Sequence, residues 1–179
     1  MSHDPNHLSD VTANDRLRWA VERAILSHVR AVHGDQAVAA KPISPRWTST
    51  HLQPVDYRHG IEAAKLAASY ARREMLRFAV KARGEGLAWA DLAAPLGVGT
   101  EPDAWGKSAA EAAFELVAGY DEHSWARPSV LWDCRSCGAQ ITDRGPYNGH
   151  PDDDETGHAR ACRRHADELA AWTTEYGDD

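Results

Sequence analysis

Cys134-Arg135-Ser136-Cys137-Gly138, followed after nineteen residues by His158-Ala159-Arg160-Ala161-Cys162, is the stretch on which the fold of this 179-residue chain turns. A Cys-x2-Cys turn presents two thiolates to one ion, and Gly138 eases the bend. His158 and Cys162 stand four residues apart, so on a helix they share one face. Together these donors complete a tetrahedron around Zn²⁺, which we expect as a structural cofactor on Cys134, Cys137, His158 and Cys162. All three cysteines of the chain are then used. His150 and His165 are the rival fourth ligands. His165 follows Cys162 at a feasible helical spacing but would leave His158 idle, and His150 reads as a loop residue.

The flanks support a small module. Val130-Leu131-Trp132-Asp133 and Ala139-Gln140-Ile141-Thr142-Asp143 read as strands on either side of the cysteine turn. Gly145-Pro146-Tyr147 and Gly149-His150-Pro151 punctuate the loop that follows. Asp152-Asp153-Asp154-Glu155 reads as a solvated acidic run whose charge favours the start of the next helix. The pattern resembles a CCHC-type zinc finger with ββα organisation, with a longer loop than the DNA-reading fingers have.

Upstream the periodicity is helical. Leu17, Val21, Ala24, Ile25, His28, Val29 and Val32 recur at three- and four-residue steps, predicting a helix from Thr12 or Asn14 to Gly34. Residues 35–55 contain Pro42, Pro45 and Pro54 and read as a connector. A long helix is predicted over 56–84, its stripe formed by Ile61, Ala64, Ala68, Ala71, Met75, Phe78, Ala79 and Ala82. Arg72, Arg73, Arg77, Lys81 and Arg83 crowd its second half. A short helix is expected over 88–96, and a further one over 103–119 with Ala109, Ala112, Ala113, Leu116 and Val117 inward.

The run Gly86-Leu87-Ala88-Trp89-Ala90-Asp91-Leu92-Ala93-Ala94-Pro95-Leu96-Gly97-Val98 resembles the first helix and turn of sigma-factor-type helix-turn-helix domains. That resemblance implies a recognition segment opening Thr100-Glu101-Pro102-Asp103-Ala104-Trp105-Gly106-Lys107, which holds one lysine against two acids. Phosphate repels carboxylates, and base contacts favour Arg, Lys, Asn or Gln. The alternative is that these helices only form a trihelical core.

A wider set of marks is Ala112-Ala113-Phe114-Glu115, Trp132, Cys134, Cys137, Thr142-Asp143-Arg144-Gly145-Pro146-Tyr147, His150-Pro151, Glu155, Gly157-His158 and Cys162. In this order they resemble a group of small actinobacterial proteins in which a helix-turn-helix precedes a CCHC-type finger. The likeness implies architecture and metal; it carries no activity with it.

Composition bounds the function. The 42% hydrophobic content is enough for a core. Arginine outnumbers lysine 16 to 4. The net charge of −7 is uneven: +1 over residues 1–58, +2 over 59–96, and −5 over each of 97–133 and 134–179. That balance is the reverse of a typical nucleic-acid-binding chain. Neither a signal-peptide pattern nor a run of about 20 apolar residues is present, so a cytoplasmic protein outside the membrane is expected. Phosphate loops, dinucleotide glycine patterns and catalytic triads leave no signature, and we expect no enzyme.

The expectation is therefore a mainly α protein: an N-terminal helix (1–34), a connector (35–55), a helix-turn-helix-like helical core (56–128) and a C-terminal ββα zinc-finger module (129–179). Its expected role is transcription-associated binding of double-stranded DNA. Arg72, Arg73, Arg77, Lys81, Lys107, Arg160, Arg163 and Arg164 are the candidate phosphate contacts. The competing role is an adaptor that uses the finger and the acidic helices to bind another protein.

Overall fold

The computed structural model of the chain describes residues 12–42, 49–104, 106–119, 128–147 and 149–177. They form six α-helices and two small antiparallel sheets. The chain divides into two compact units, Met1–Ala71 and Arg72–Asp179. Among the described residues, no helix is long and apolar enough to cross a membrane.

In the first unit, α1 spans Ala13–His33. Thr12 caps it through a reciprocal box, its hydroxyl accepting from the Asp15 N–H while the Asp15 carboxylate takes the Thr12 N–H. The helix ends at Gly34, whose positive φ of 86° releases the chain from the helical path. Residues 35–55 are not a plain connector. They contain a hairpin of β1 (Val38–Pro42) and β2 (Thr50–Pro54), in register from Val38 opposite Pro54 to Pro42 opposite Thr50. Prolines are tolerated because both strands of a two-stranded sheet are edges, where a missing N–H need not break a ladder. Pro45 and the rest of 43–48 lie outside the described residues. The next helix, α2, runs from Tyr57 to Glu85 and continues into the second unit.

The core of the first unit is small: Leu26, Val29, Ala37, Val38 and Ala63. The helical spans over 13–33 and 57–85 match the periodicity, but the inward faces differ. Leu17, Val21, Val32, Ile61 and Phe78 are exposed, while Leu26 and Ala63, which lie beside the expected stripes, are buried. Alanine-rich helices offer several equivalent stripes, and packing selects among them.

In the second unit, α3 (Trp89–Ala93) starts where the Asp91 carboxylate accepts the Ala88 N–H at 2.8 Å. It is followed by a turn rather than more helix. The helix expected from Asp103 begins later: α4 is Ala109–Ala118, capped by a Ser108–Glu111 box. Asp103 closes a local turn instead, its carboxylate accepting the Lys107 N–H at 2.9 Å, and Gly106 takes a positive φ of 80°. Residues 94–108 thus separate α3 from α4, against about three or four residues in a helix-turn-helix. β3 (Val130–Asp133), β4 (Gln140–Asp143) and the two-residue β5 (Glu155–Thr156) form a sheet in that order. A single turn, α5 (Pro151–Asp154), precedes β5, and α6 (Arg163–Tyr176) closes the unit.

One core joins all of this. Ala79, Trp89, Leu92, Ala93, Ala113, Phe114 and Val117 pack with Val130, Trp132, Cys134, Ile141 and Cys162. The boundary expected between 128 and 129 therefore does not divide the packing. Phe114 is the hub, fully buried with its ring edge-on to Trp89 and to Tyr147. Gly145 lies so near that a Cβ there would sit 2.5 Å from the Phe114 ring. Replacing Phe114 with Ala removes the centre of this packing and should cost about 3–5 kcal/mol, read as a lower midpoint in urea unfolding with the slope unchanged.

Candidate metal centre

The β3–β4 turn shapes the first half of the centre. The Cys134 N–H donates to the Ala139 carbonyl at 2.9 Å, and Gly138 bends with φ of 70° to close the knuckle. The second half follows β5. Gly157, at φ 107°, passes against the Gln140 carbonyl, where a Cβ would come within 2.6 Å, and this close approach delivers His158 to the knuckle. His158 and Cys162 are not on a helix, contrary to expectation. Both lie in the turn before α6, and Cys162 is its N-cap residue. A helix start carries unsatisfied N–H groups and a positive dipole end, which favour a thiolate there.

The donor atoms converge. Cys134 Sγ lies 3.8 Å from Cys162 Sγ, and Cys137 Sγ lies 4.0 Å from His158 Nδ1. All four donors are within 4.8 Å of one another, close enough to share one metal ion. Cys134 and Cys162 are buried, Cys137 and His158 half-buried. Burial pushes the Cys134 thiol up, whereas backbone hydrogen bonds from Ala159 and Ala139, together with His158, bring Cys137 down to about 6. The hydrogen bonds thus favour the thiolate form of Cys137, the form that binds a cation.

Behind the ligands stands a buried polar network that periodicity did not reveal. His158 Nε2 lies 3.0 Å from Glu155 Oε2. Burial opposes protonation of His158, but Glu155 and the neighbouring thiols outweigh it and its pKa is raised. Burial raises Glu155 as well, against the pull of Arg83. The other Glu155 oxygen pairs with Arg83 and, at 3.6 Å, with Arg164. Arg83 Nε also donates to Asp143 Oδ2 at 3.2 Å. That same oxygen accepts the indole N–H groups of Trp89 at 2.9 Å and Trp132 at 3.1 Å, while Oδ1 takes the Gly145 N–H at 2.9 Å. The Arg164 guanidinium lies 4.3 Å from the Trp132 ring centre. Glu155 is thus no part of a solvated acidic loop. It orients the histidine from behind, as carboxylates do at many metal sites.

The rival histidines have other tasks. His150 caps α5, its Nδ1 accepting the Asp152 N–H, and its ring packs on Trp172. His165 holds Asp152 at 2.8 Å and stacks on the His158 ring. His158, His165 and Glu168 form a second close group that shares its histidine with the first.

The eight candidate phosphate contacts scatter. Arg164 is nearly buried, bonded to Glu168 at 2.9 Å as well as to Glu155. Lys107 pairs with Glu115 at 2.5 Å, Arg77 with Glu74 at 2.6 Å and Arg163 with Asp167 at 3.7 Å. Arg72, Arg73, Lys81 and Arg160 are exposed.

Sequence reading also missed Arg83, Asp143 and Glu155 as a set. Each was named in the sequence without this role, and no local spacing joins residues 83, 143 and 155. Glu155→Gln keeps the shape but weakens the orienting bond, and should lower metal affinity by about 10–100-fold, measured by competition against a chromogenic chelator. No protein family, curated protein or solved structure gives a match to this chain.

Proposed function

We propose that the four donors hold one structural Zn²⁺ and that the chain is a zinc-stabilised adaptor that binds another protein. The observation that carries the metal reading is the donor set at its spacing. A tetrahedral zinc with Zn–S of about 2.3 Å places its sulfurs about 3.8 Å apart, which is the Cys134–Cys162 separation. Thiolates and imidazole suit zinc better than the oxygen-seeking magnesium or calcium. With four protein donors the ion has no open position for water, so its task is to hold the fold rather than to activate a nucleophile.

The adaptor reading draws on electrostatics. Several candidate phosphate contacts are already paired to carboxylates of the same unit. The segment 100–107 is not helical where described, and α4 turns Ala113, Phe114 and Val117 into the core, which speaks for a packing role for this stretch. The −5 balances of residues 97–133 and 134–179 oppose a polyanion.

A second reading, DNA binding, rests on one observation. Arg73, Arg77 and Lys81 recur at four-residue steps on α2 and are all exposed. Such a row can follow a phosphate backbone, with affinity that falls steeply with salt.

Metal analysis of the purified untagged chain should return one zinc per molecule. Cys137→Ser should release it and unfold more than the finger: because Cys134 and Cys162 belong to the same core as α3 and α4, amide protection should fall across residues 72–177. Less than half an equivalent in the native protein sinks the zinc reading. Mobility shifts on random duplexes at low salt should show no complex. A complex that Arg73→Glu and Lys81→Glu abolish would put the DNA reading first.

A further inference from the structure

Two of the three sulfurs are shut inside the protein and the third is not. Cys134 and Cys162 are 0% and 3% exposed, and both belong to the core around Trp132 and Phe114. Cys137 is half-buried, and its neighbours on either side, Ser136 and Gly138, are exposed. A Cβ added at Gly138 would meet nothing within 4 Å, so the outer face of the knuckle is open to a small reagent. Proximity and exposure therefore single out different sulfurs. Cys134 and Cys162 stand 3.8 Å apart, yet neither is reached from solvent. Cys137 lies within 4.8 Å of both and is the one that solvent reaches.

We propose that Cys137 is the site at which hydrogen peroxide oxidises this protein, and that the disulfide it then forms with Cys134 or Cys162 expels the metal. The inference rests on the zinc reading and is independent of the adaptor reading. Zinc has no redox chemistry of its own, so the sulfurs supply the electrons. In the first step the Cys137 sulfur attacks one peroxide oxygen. The O–O bond breaks, the departing hydroxide takes up a proton to become water, and Cys137 is left as a sulfenic acid. In the second step the thiolate of Cys134 or Cys162 attacks that sulfur. The S–S bond forms, the S–O bond breaks, and the second hydroxide is protonated to water. Two thiolates, one peroxide and two protons thus give one disulfide and two waters. One thiolate and His158 remain as donors, too few to close a structural zinc site. Because Cys134 and Cys162 are packed with Trp89, Phe114 and Trp132, loss of the ion loosens the core and is not confined to the knuckle.

The test exposes the full zinc-loaded chain, purified under reductant and then freed of it, to hydrogen peroxide at about 0.1–1 mM. Zinc release is followed with a chromogenic chelator, remaining thiols are counted, and bridged peptides are mapped by mass spectrometry. One zinc should leave for every two thiols lost, every first-formed bridge should contain Cys137, and dithiothreitol with added zinc should restore the metal. Cys137→His keeps a zinc donor at that position while removing the exposed sulfur, and its metal should leave at least about ten-fold more slowly. Where that variant holds no metal, the bridge map of the native chain decides alone. A bridge between Cys134 and Cys162, sulfinic acid in place of a disulfide, or a chain that keeps its zinc and all three thiols overturns the proposal. A chain that carries no zinc before peroxide is added overturns the zinc reading, and this proposal with it.

Discussion

A guanidinium held inside the protein is the constraint that orders the second unit. Arg83 is 5% exposed, and an unpaired cation at that depth would cost several kcal/mol of lost hydration. It survives because two carboxylates from distant parts of the chain reach it, Asp143 at the end of β4 and Glu155 in β5. Those acids cannot be there alone either. Asp143 spends its remaining capacity on two indoles and a backbone amide, and Glu155 on His158 and Arg164. Each member is tolerable only while the others are present. The position of α2 against the sheet, the seat of α3 and the rotation of the His158 ring are thereby coupled.

The metal centre and this network are two sides of one construction. Three thiolates around the proposed divalent zinc would sum to about one negative charge, and the positive charge of the network is shared by Arg83 and Arg164. A basic residue used in this way is lost to any outside polyanion. Gly84 shows how close the contact is: a Cβ there would stand 2.7 Å from the Asp133 carbonyl, and the Gly84 carbonyl accepts the Arg135 N–H beside the first ligand. The long helix thus touches the cysteine turn directly.

The cluster of Cys134, Cys137, His158 and Cys162 was legible because soft donors are scarce in this chain and the first two stand at the spacing of a tight turn. Helix ends were legible where local chemistry marks them, at Thr12, Gly34 and Gly119, whereas the cap at Ser108 was passed over in favour of Asp103. Inward faces were not. Where alanines line several sides of a helix, the stripe is chosen by whatever packs against it, so Ile61 points out and Ala63 in. The hairpin in 35–55 escaped because prolines weigh against a ladder, although at edges they carry no penalty. His158-x3-Cys162 suggested a helix because four residues make a turn of one, yet a tight turn before a helix start satisfies the same spacing. The ion network was illegible in principle: Arg83 and Glu155 are 72 residues apart, and no local rule pairs them.

That separation has a consequence for how the protein comes into being. A ribosome releases the chain from its N-terminus, so Arg83 and the apolar faces of α3 and α4 emerge long before Asp143, Glu155 and Cys162 exist to receive them. Until roughly the last helix has left the exit tunnel, the nascent segment carries a half-built interior that closure cannot yet reward. Synthesis of this chain is therefore a period of exposure that lasts until residues 143–162 have emerged, and a chain interrupted before them leaves a product that cellular proteases should clear.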